Sequence, residues 1–268
     1  MKALFKHLGV ADAQPVGGGC IHRCYRATLA HRAVFLKVNE ARFADAFAAE
    51  ADGLAALRGA GCAAPEPIAH GAAGASAYLV MEFLELRSGG DFAALGRMLA
   101  AVHRAEGRAF GWARDNYIGS TPQPNGSYED WSEFWRERRL GPQLALARRN
   151  GYPLDAPDVS QLLDGHRPVP SLLHGDLWGG NAGFLRDGAP VLFDPAVYYG
   201  DPEADLAMTQ LFGGFPPEFY SAYGPLPAGY ETRKHLYHLY HLLNHLNLFG
   251  GAYLGQVKAT LGLLARAL

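Results

Sequence analysis

Residues His174 to Asn181 read HGDLWGGN, behind the apolar run SLL and ahead of VLFDPA at residues 191–196. Two short apolar runs joined by a polar, glycine-rich stretch describe strands that hold a loop between them. Asp176 and Asn181 stand five residues apart, and Asp194 closes the second run. A carboxylate placed to orient a hydroxyl, with an amide and a second carboxylate that can bind a hard cation, needs a scaffold on both sides of the loop.

The chain supplies that scaffold in two differently patterned parts. Residues 15–38 read as a Gly-rich turn, a strand, a turn and a strand ending in AVFLKV, a hairpin with a glycine-rich mouth. Residues 39–58 place Phe43, Phe47, Leu54 and Leu57 among good helix formers before GAGC stops them, which predicts a helix. A Pro-bounded strand, a turn and the apolar strand AYLVME follow, ending near Glu82. After RSGG the patterns turn helical: Asp91 is an N-cap for FAALGRMLAAVHRA, a second helix is predicted near residues 131–149, and the chain is helical again from Tyr230. The expectation is an α+β, bilobal fold. Residues 1–84 form a small antiparallel-sheet lobe with one helix, and residues 85–268 a larger, mainly helical lobe. A length of 268 residues suits two lobes around a cleft.

Hydrophobic residues at 49% and charged residues at 19% describe a folded globular chain, and a net charge of −2 argues against a nucleic-acid or anionic-membrane partner. Lys6 and His7 interrupt the first apolar stretch, and no apolar run reaches the length of a membrane span, so the expected location is cytoplasmic. Cys20, Cys24 and Cys62 lack CxxC spacing and read as reduced thiols.

Phosphoryl transfer from a nucleotide uses few parts, and each has a candidate. The Asp176 to Asn181 interval is that of the protein-kinase catalytic loop HRDxxxxN, with Asp as the base and Asn on magnesium, and Asp194 takes the place of the second magnesium-binding aspartate. Gly17, Gly18 and Gly19 let backbone amides approach phosphates. Lys37, on the next strand, is the phosphate lysine, and Glu50 in the following helix its partner. Glu82, Phe83 and Leu84 form an inter-lobe hinge whose backbone would receive adenine. The cofactors expected are ATP and Mg2+.

HGDLWGGN and FDPAVYYGDPEADLAMTQLFGGF, with GGGCI, FLKVN, YIGSTPQPN and LYHLLNHLNLFGG in that order, resemble the fructosamine-3-kinase (ketosamine-3-kinase) family, a branch of the aminoglycoside-phosphotransferase-like kinases. The likeness runs from about residue 16 to about residue 253. It implies ATP-dependent phosphorylation of the sugar 3-hydroxyl of ketosamines; the residues leave open free or protein-bound substrate and a monomer or a dimer. It also implies Asp176 as proton acceptor, Asn181 and Asp194 as magnesium ligands, and Asp205 as a brace for the loop. A related small-molecule kinase acting on an aminoglycoside, choline or another sugar would share these parts, and a catalytically silent nucleotide-binding protein usually lacks one of them. Two departures stand out: little chain precedes the glycine loop, and Gly180 is a position that a bulkier residue should also fit.

Four features carry competing readings. His174 fits a loop brace better than a general base. Trp178 is either core or an apolar face for a sugar ring. His235, His238, His241 and His245 share one helical face, packed or cleft-lining rather than a metal stripe. Cys20 is either a small residue that fits the loop or an oxidisable thiol beside the bound phosphates.

Overall fold

The computed structural model describes residues 1–17, 21–155 and 158–268. Strands β1 (Val10–Val16), β2 (Arg23–Leu29), β3 (Arg32–Glu40), β4 (Pro67–Ala73) and β5 (Ser76–Glu82) form an antiparallel sheet in the order β1-β2-β3-β5-β4. Side chains alternate along β3 and so define two faces. Val34, Leu36 and Val38 cluster with Leu4 of helix α1 (Lys2–Leu8), while Phe35 packs toward Phe47 and Leu54 of helix α2 (Ala44–Gly59). Lys37 falls on the α2 face.

Three local expectations change. Helix α1 adds a second helix to the part of the chain expected to hold one, and Pro15, expected to open the glycine-rich turn, lies in strand β1 (Val10–Val16). A seven-residue helix has little stability of its own, so packing of Leu4, Phe5 and Leu8 on the sheet sustains it. Pro15 is tolerated because β1 is an edge strand. Asn39 and Glu40 continue β3 by pairing with Ala77 and Ser76, so α2 starts at Ala44 after a 3-10 turn over Ala41–Phe43.

The remainder is mainly helical. It contains α3 (Phe92–Val102), β6 (Phe110–Trp112), β7 (Asn116–Ile118), β8 (Thr121–Gln123), β9 (Gly126–Tyr128), α4 (Trp131–Phe134), α5 (Gly141–Arg149) and α6 (Val159–Leu162). Then come β10 (Ser171–Leu173), β11 (Ala182–Phe184), β12 (Pro190–Leu192), β13 (Tyr198–Gly200), α7 (Pro202–Leu211), α8 (Pro217–Tyr223), α9 (Tyr230–Phe249) and α10 (Leu254–Ala267). Strands β10, β13, β6 and β9 make a four-stranded sheet, and β11 and β12 a hairpin beside it. Asp91 caps α3 as expected, its Oδ1 accepting from the Ala94 amide at 2.7 Å.

Between α4 and α5 the helix widens to π geometry over Trp135–Leu140. Pro142 has no N–H for the Arg138 carbonyl, which accepts instead from Arg139 Nη1 at 3.0 Å. Arg139 is fully buried against Tyr198 and Phe134, at 3.9 and 4.5 Å from the ring centroids. One cluster joins Leu57 and Cys62 to Leu95, Leu99, Leu177 and Leu192, so helix α2 and the turn after it share apolar core with the helical part. Among the described residues no helix is long and apolar enough to cross a membrane.

Helices α3 and α8 pack backbone to backbone at Gly96, where a Cβ would lie 2.2 Å from the Phe219 carbonyl oxygen. Gly96→Ala is expected to lower stability despite a helix-propensity gain of about 1 kcal/mol, because overpacking costs about 1–3 kcal/mol and backbone yields poorly. Urea unfolding should show a lower midpoint; an unchanged or higher one would contradict this packing.

Candidate active site

The loop after β10 rests on the first turn of α7. Asp205 accepts the His174 amide at 2.7 Å and the Gly175 amide at 2.8 Å, while His103 Nε2, from the end of α3, lies 3.2 Å from the same carboxylate. Tyr223 of α8 meets the other nitrogen of His103 at 2.8 Å. Burial opposes the charge of Asp205, but the His103 bond and charge, with the Gly175 amide, hold its carboxyl below the ordinary value. The sequence identified Asp205; His103, 102 residues away, carries no local signal.

His174 is buried, with Nε2 3.0 Å from the Phe193 carbonyl and Nδ1 receiving the Asp176 amide at 3.3 Å. These bonds place the proton on Nε2, and burial keeps the ring neutral by lowering its pKa. The imidazole braces the loop. At Gly175 (φ +81°) a Cβ would lie 2.0 Å from the Ala196 carbonyl oxygen, so only glycine fits.

The resulting turn aims Asp176 into the cleft. Burial first, then the charge of Asp194, pushes its carboxyl up to about 7. Asn181 Nδ2 donates to the Asp176 carbonyl at 2.8 Å and to its Oδ2 at 3.2 Å. With the amide nitrogen anchored, Asn181 Oδ1 is left as a free oxygen donor among the described residues.

Opposite, Lys37 Nζ lies 2.7 Å from Glu50 and 2.5 Å from Asp194 Oδ1. Burial opposes its charge, yet Asp194 and Glu50 more than offset this and raise its pKa. Glu50 moves up to about 7 through burial. Asp194 sits at φ +56°, a strained value for a side chain with a Cβ, and its carboxylate is 45% exposed. Bonds from the Phe193 amide to Asn181 O (3.1 Å) and from the Ala196 amide to His174 O (2.8 Å) hold that turn. Asp194 and Asn181 Oδ1 together offer the oxygen donors that a magnesium ion uses.

Helix α2, which carries Glu50, is fixed from behind. Asp45 accepts from Arg114 at 2.5 Å and from Tyr117 at 3.1 Å, and Asp52 from Trp112 at 2.8 Å. Gly53 abuts Pro195 and Val197, just beyond Asp194. At the end of β5 the Glu82 amide is taken by the Glu66 carbonyl at 2.8 Å. The backbone groups of Phe83 and Leu84 make no protein hydrogen bond among the described residues. Gly17 is exposed at the end of β1, whereas Gly18, Gly19 and Cys20 lie outside the described residues.

Trp178 is half-buried and meets Phe212 edge-on at 6.0 Å; Phe212 packs on His245 at 4.6 Å, and His245 on Tyr253 at 5.1 Å. An aromatic wall therefore flanks the loop. The expectation of room at Gly180 is corrected, since a Cβ there would lie 2.3 Å from the Trp178 ring. The histidine face is packed: His238 Nε2 bonds the Ala207 carbonyl at 2.8 Å and His245 Nδ1 the His241 carbonyl at 2.9 Å. His241 points elsewhere, with Nδ1 3.8 Å from Asp176 Oδ1.

The sequence model of the fructosamine kinase family matches residues 2–266. A probable ketoamine kinase of Synechocystis is 48% identical over 264 residues, covering 94% of this chain and 90% of its own. A crystal structure assigned to the fructosamine-3-kinases of Haemophilus somnus is 30% identical, with a TM-score of 0.88 over 100% of this chain and 96% of that one. A thermostable aminoglycoside phosphotransferase mutant in ternary complex with ADP and hygromycin B shares the protein-kinase-like fold, with a TM-score of 0.60 at 19% identity and coverage of 98% and 97%.

Asp205→Ala would leave two buried amides and an imidazole without their acceptor. The expected loss is about 3–5 kcal/mol of unfolding free energy, the range for deleting one partner of a buried charged pair. Denaturant unfolding that shifts by less than about 1 kcal/mol would contradict this role for Asp205.

Proposed function

The chain belongs to the fructosamine kinase family, and we propose that it transfers the γ-phosphoryl group of ATP to the sugar 3-hydroxyl of ketosamines, the adducts of amine glycation. It is a phosphotransferase with an alcohol acceptor. Residues 1–84 hold the nucleotide, and residues 85–268 carry the catalytic loop and the acceptor site. The observation that carries this reading is the half-buried Asp176, bonded to Asn181 and within the field of Asp194, which in turn pairs with Lys37 beside Glu50.

Each residue then has a task. Phe83 and Leu84 present backbone groups to adenine, with Glu82 anchoring the segment to Glu66. Lys37, held by Glu50, contacts the phosphates together with amides of the loop at Gly17, Gly18 and Gly19. Asn181 Oδ1 and Asp194 would hold magnesium, which would supply charge neutralisation for the transferred phosphoryl group. Asp176 orients the sugar hydroxyl and receives its proton as the new oxygen–phosphorus bond forms and the bond to the ADP oxygen breaks. Trp178 presents its face to the sugar. Cys24 and Cys62 are free and buried, which suits a reducing, cytoplasmic location.

The test is ATP turnover against fructoselysine, ribuloselysine, kanamycin and choline, with the product identified by mass spectrometry. Phosphorylation of a ketosamine is expected; phosphorylation of kanamycin or choline alone would contradict the reading. Asp176→Asn should lower turnover by about 10²–10⁴-fold with ATP binding nearly unchanged. Wild-type turnover in that variant would remove Asp176 from the mechanism.

A further inference from the structure

We propose that His241 is a positioning residue for the acceptor, holding the same hydroxyl that Asp176 orients. The inference rests on the phosphotransfer reading above and adds a residue to it. His241 lies on α9, its side chain buried, and Nδ1 has no hydrogen-bond partner among the described residues. A buried polar atom without a partner is disfavoured, and a partner that arrives with a ligand resolves it. Asp176 Oδ1 lies 3.8 Å from Nδ1, beyond hydrogen-bond range.

That separation matches one intervening oxygen. A hydroxyl oxygen about 2.8 Å from both atoms subtends an angle of about 85° between them, which an sp3 oxygen accommodates. Its proton points to Asp176 Oδ1, one lone pair accepts from the Nδ1–H of His241, and the other lone pair is free to attack phosphorus. As that bond forms, the proton passes to Asp176 and ADP leaves with the electrons of the broken bond; His241 exchanges no proton. The ring is suited to this task. Burial, reinforced by His245, holds its pKa down to about 3, so it stays neutral with one N–H to give. Its backbone carbonyl is tied to His245 Nδ1, and the neighbouring Tyr240 hydroxyl donates to Gln123 Oε1 at 2.6 Å. The imidazole is held in place by α9 and the core behind it.

The experiment compares His241→Leu with His241→Asn, whose amide nitrogen falls near the Nδ1 position, in steady-state assays that vary acceptor and ATP separately. His241→Leu should lower kcat/KM for the acceptor by about tenfold, mainly through KM, and leave the KM for ATP within about twofold, whereas His241→Asn should recover most of the loss. Wild-type acceptor kinetics in His241→Leu would overturn the proposal. So would equal losses in both variants, or a rise in the KM for ATP as large as that for the acceptor, because either outcome describes a packing role. If His241→Leu does not fold, as judged by thermal unfolding, His241→Asn is compared with His241→Gln. Gln places its amide near Nε2 and should be about tenfold weaker than Asn; equality or the reverse order overturns the proposal. Asp176→Asn in the same series separates the two claims. An active Asp176→Asn sinks the phosphotransfer reading, while an inactive one beside an unaffected His241→Leu sinks only the role of His241.

Discussion

The Asp205 carboxylate receives two consecutive loop amides and faces the His103 imidazole, and the rest of the cleft is arranged from that contact. Once His174 and Gly175 are fixed, the His174 ring reaches the Phe193 carbonyl on the neighbouring segment, and the His174 carbonyl receives the Ala196 amide. These bonds span both sides of Asp194 and stabilise its strained backbone. Asp176 and Asp194 are thereby set in one frame although they leave different strands. The brace is itself held by α3 and α8 through His103 and Tyr223, so helix packing at Gly96 is connected to the geometry of the loop.

The second constraint is electrostatic. Two carboxylates, Glu50 and Asp194, hold one buried ammonium, and Asp176 lies within the field of Asp194, so acidic groups outnumber the single cation. Burial pushes both Asp176 and Glu50 toward protonation near pH 7. A divalent cation held by Asn181 and Asp194, as proposed above, would relieve that excess. Helix α2 cannot easily swing Glu50 away from Lys37, because Asp45, Asp52 and Gly53 fasten it to the segments around Trp112 and Pro195. The ion pair is therefore built into the fold.

What could be read from the residues alone was whatever local spacing encodes. The Asp176 to Asn181 interval, the strand lysine, the helix glutamate and the Asp91 cap all depend on neighbours in sequence, and the structure pairs Asp176 with Asn181 and Lys37 with Glu50. Helix α1 escaped notice because seven residues carry no propensity signal strong enough without the sheet beneath them. The π turn and the buried Arg139 are hidden because they answer a carbonyl freed by Pro142 and an aromatic surround that adds the distant Tyr198 and Tyr240 to Phe134. Periodicity placed four histidines on one face. Only tertiary packing decides that His238 and His245 bond carbonyls while His241 faces Asp176. Likewise, the contact between Gly180 and the Trp178 ring depends on a turn that spacing does not specify.

The central claim is that this cleft directs phosphate to one hydroxyl of a ketosamine sugar. Phosphorus–proton correlation NMR of the product made from fructoselysine, ATP and magnesium tests it most directly. A phosphorus signal coupled to the proton on sugar carbon 3 is the expected result. Phosphate on any other hydroxyl, or no phosphorylated ketosamine while another alcohol is phosphorylated, would contradict the account.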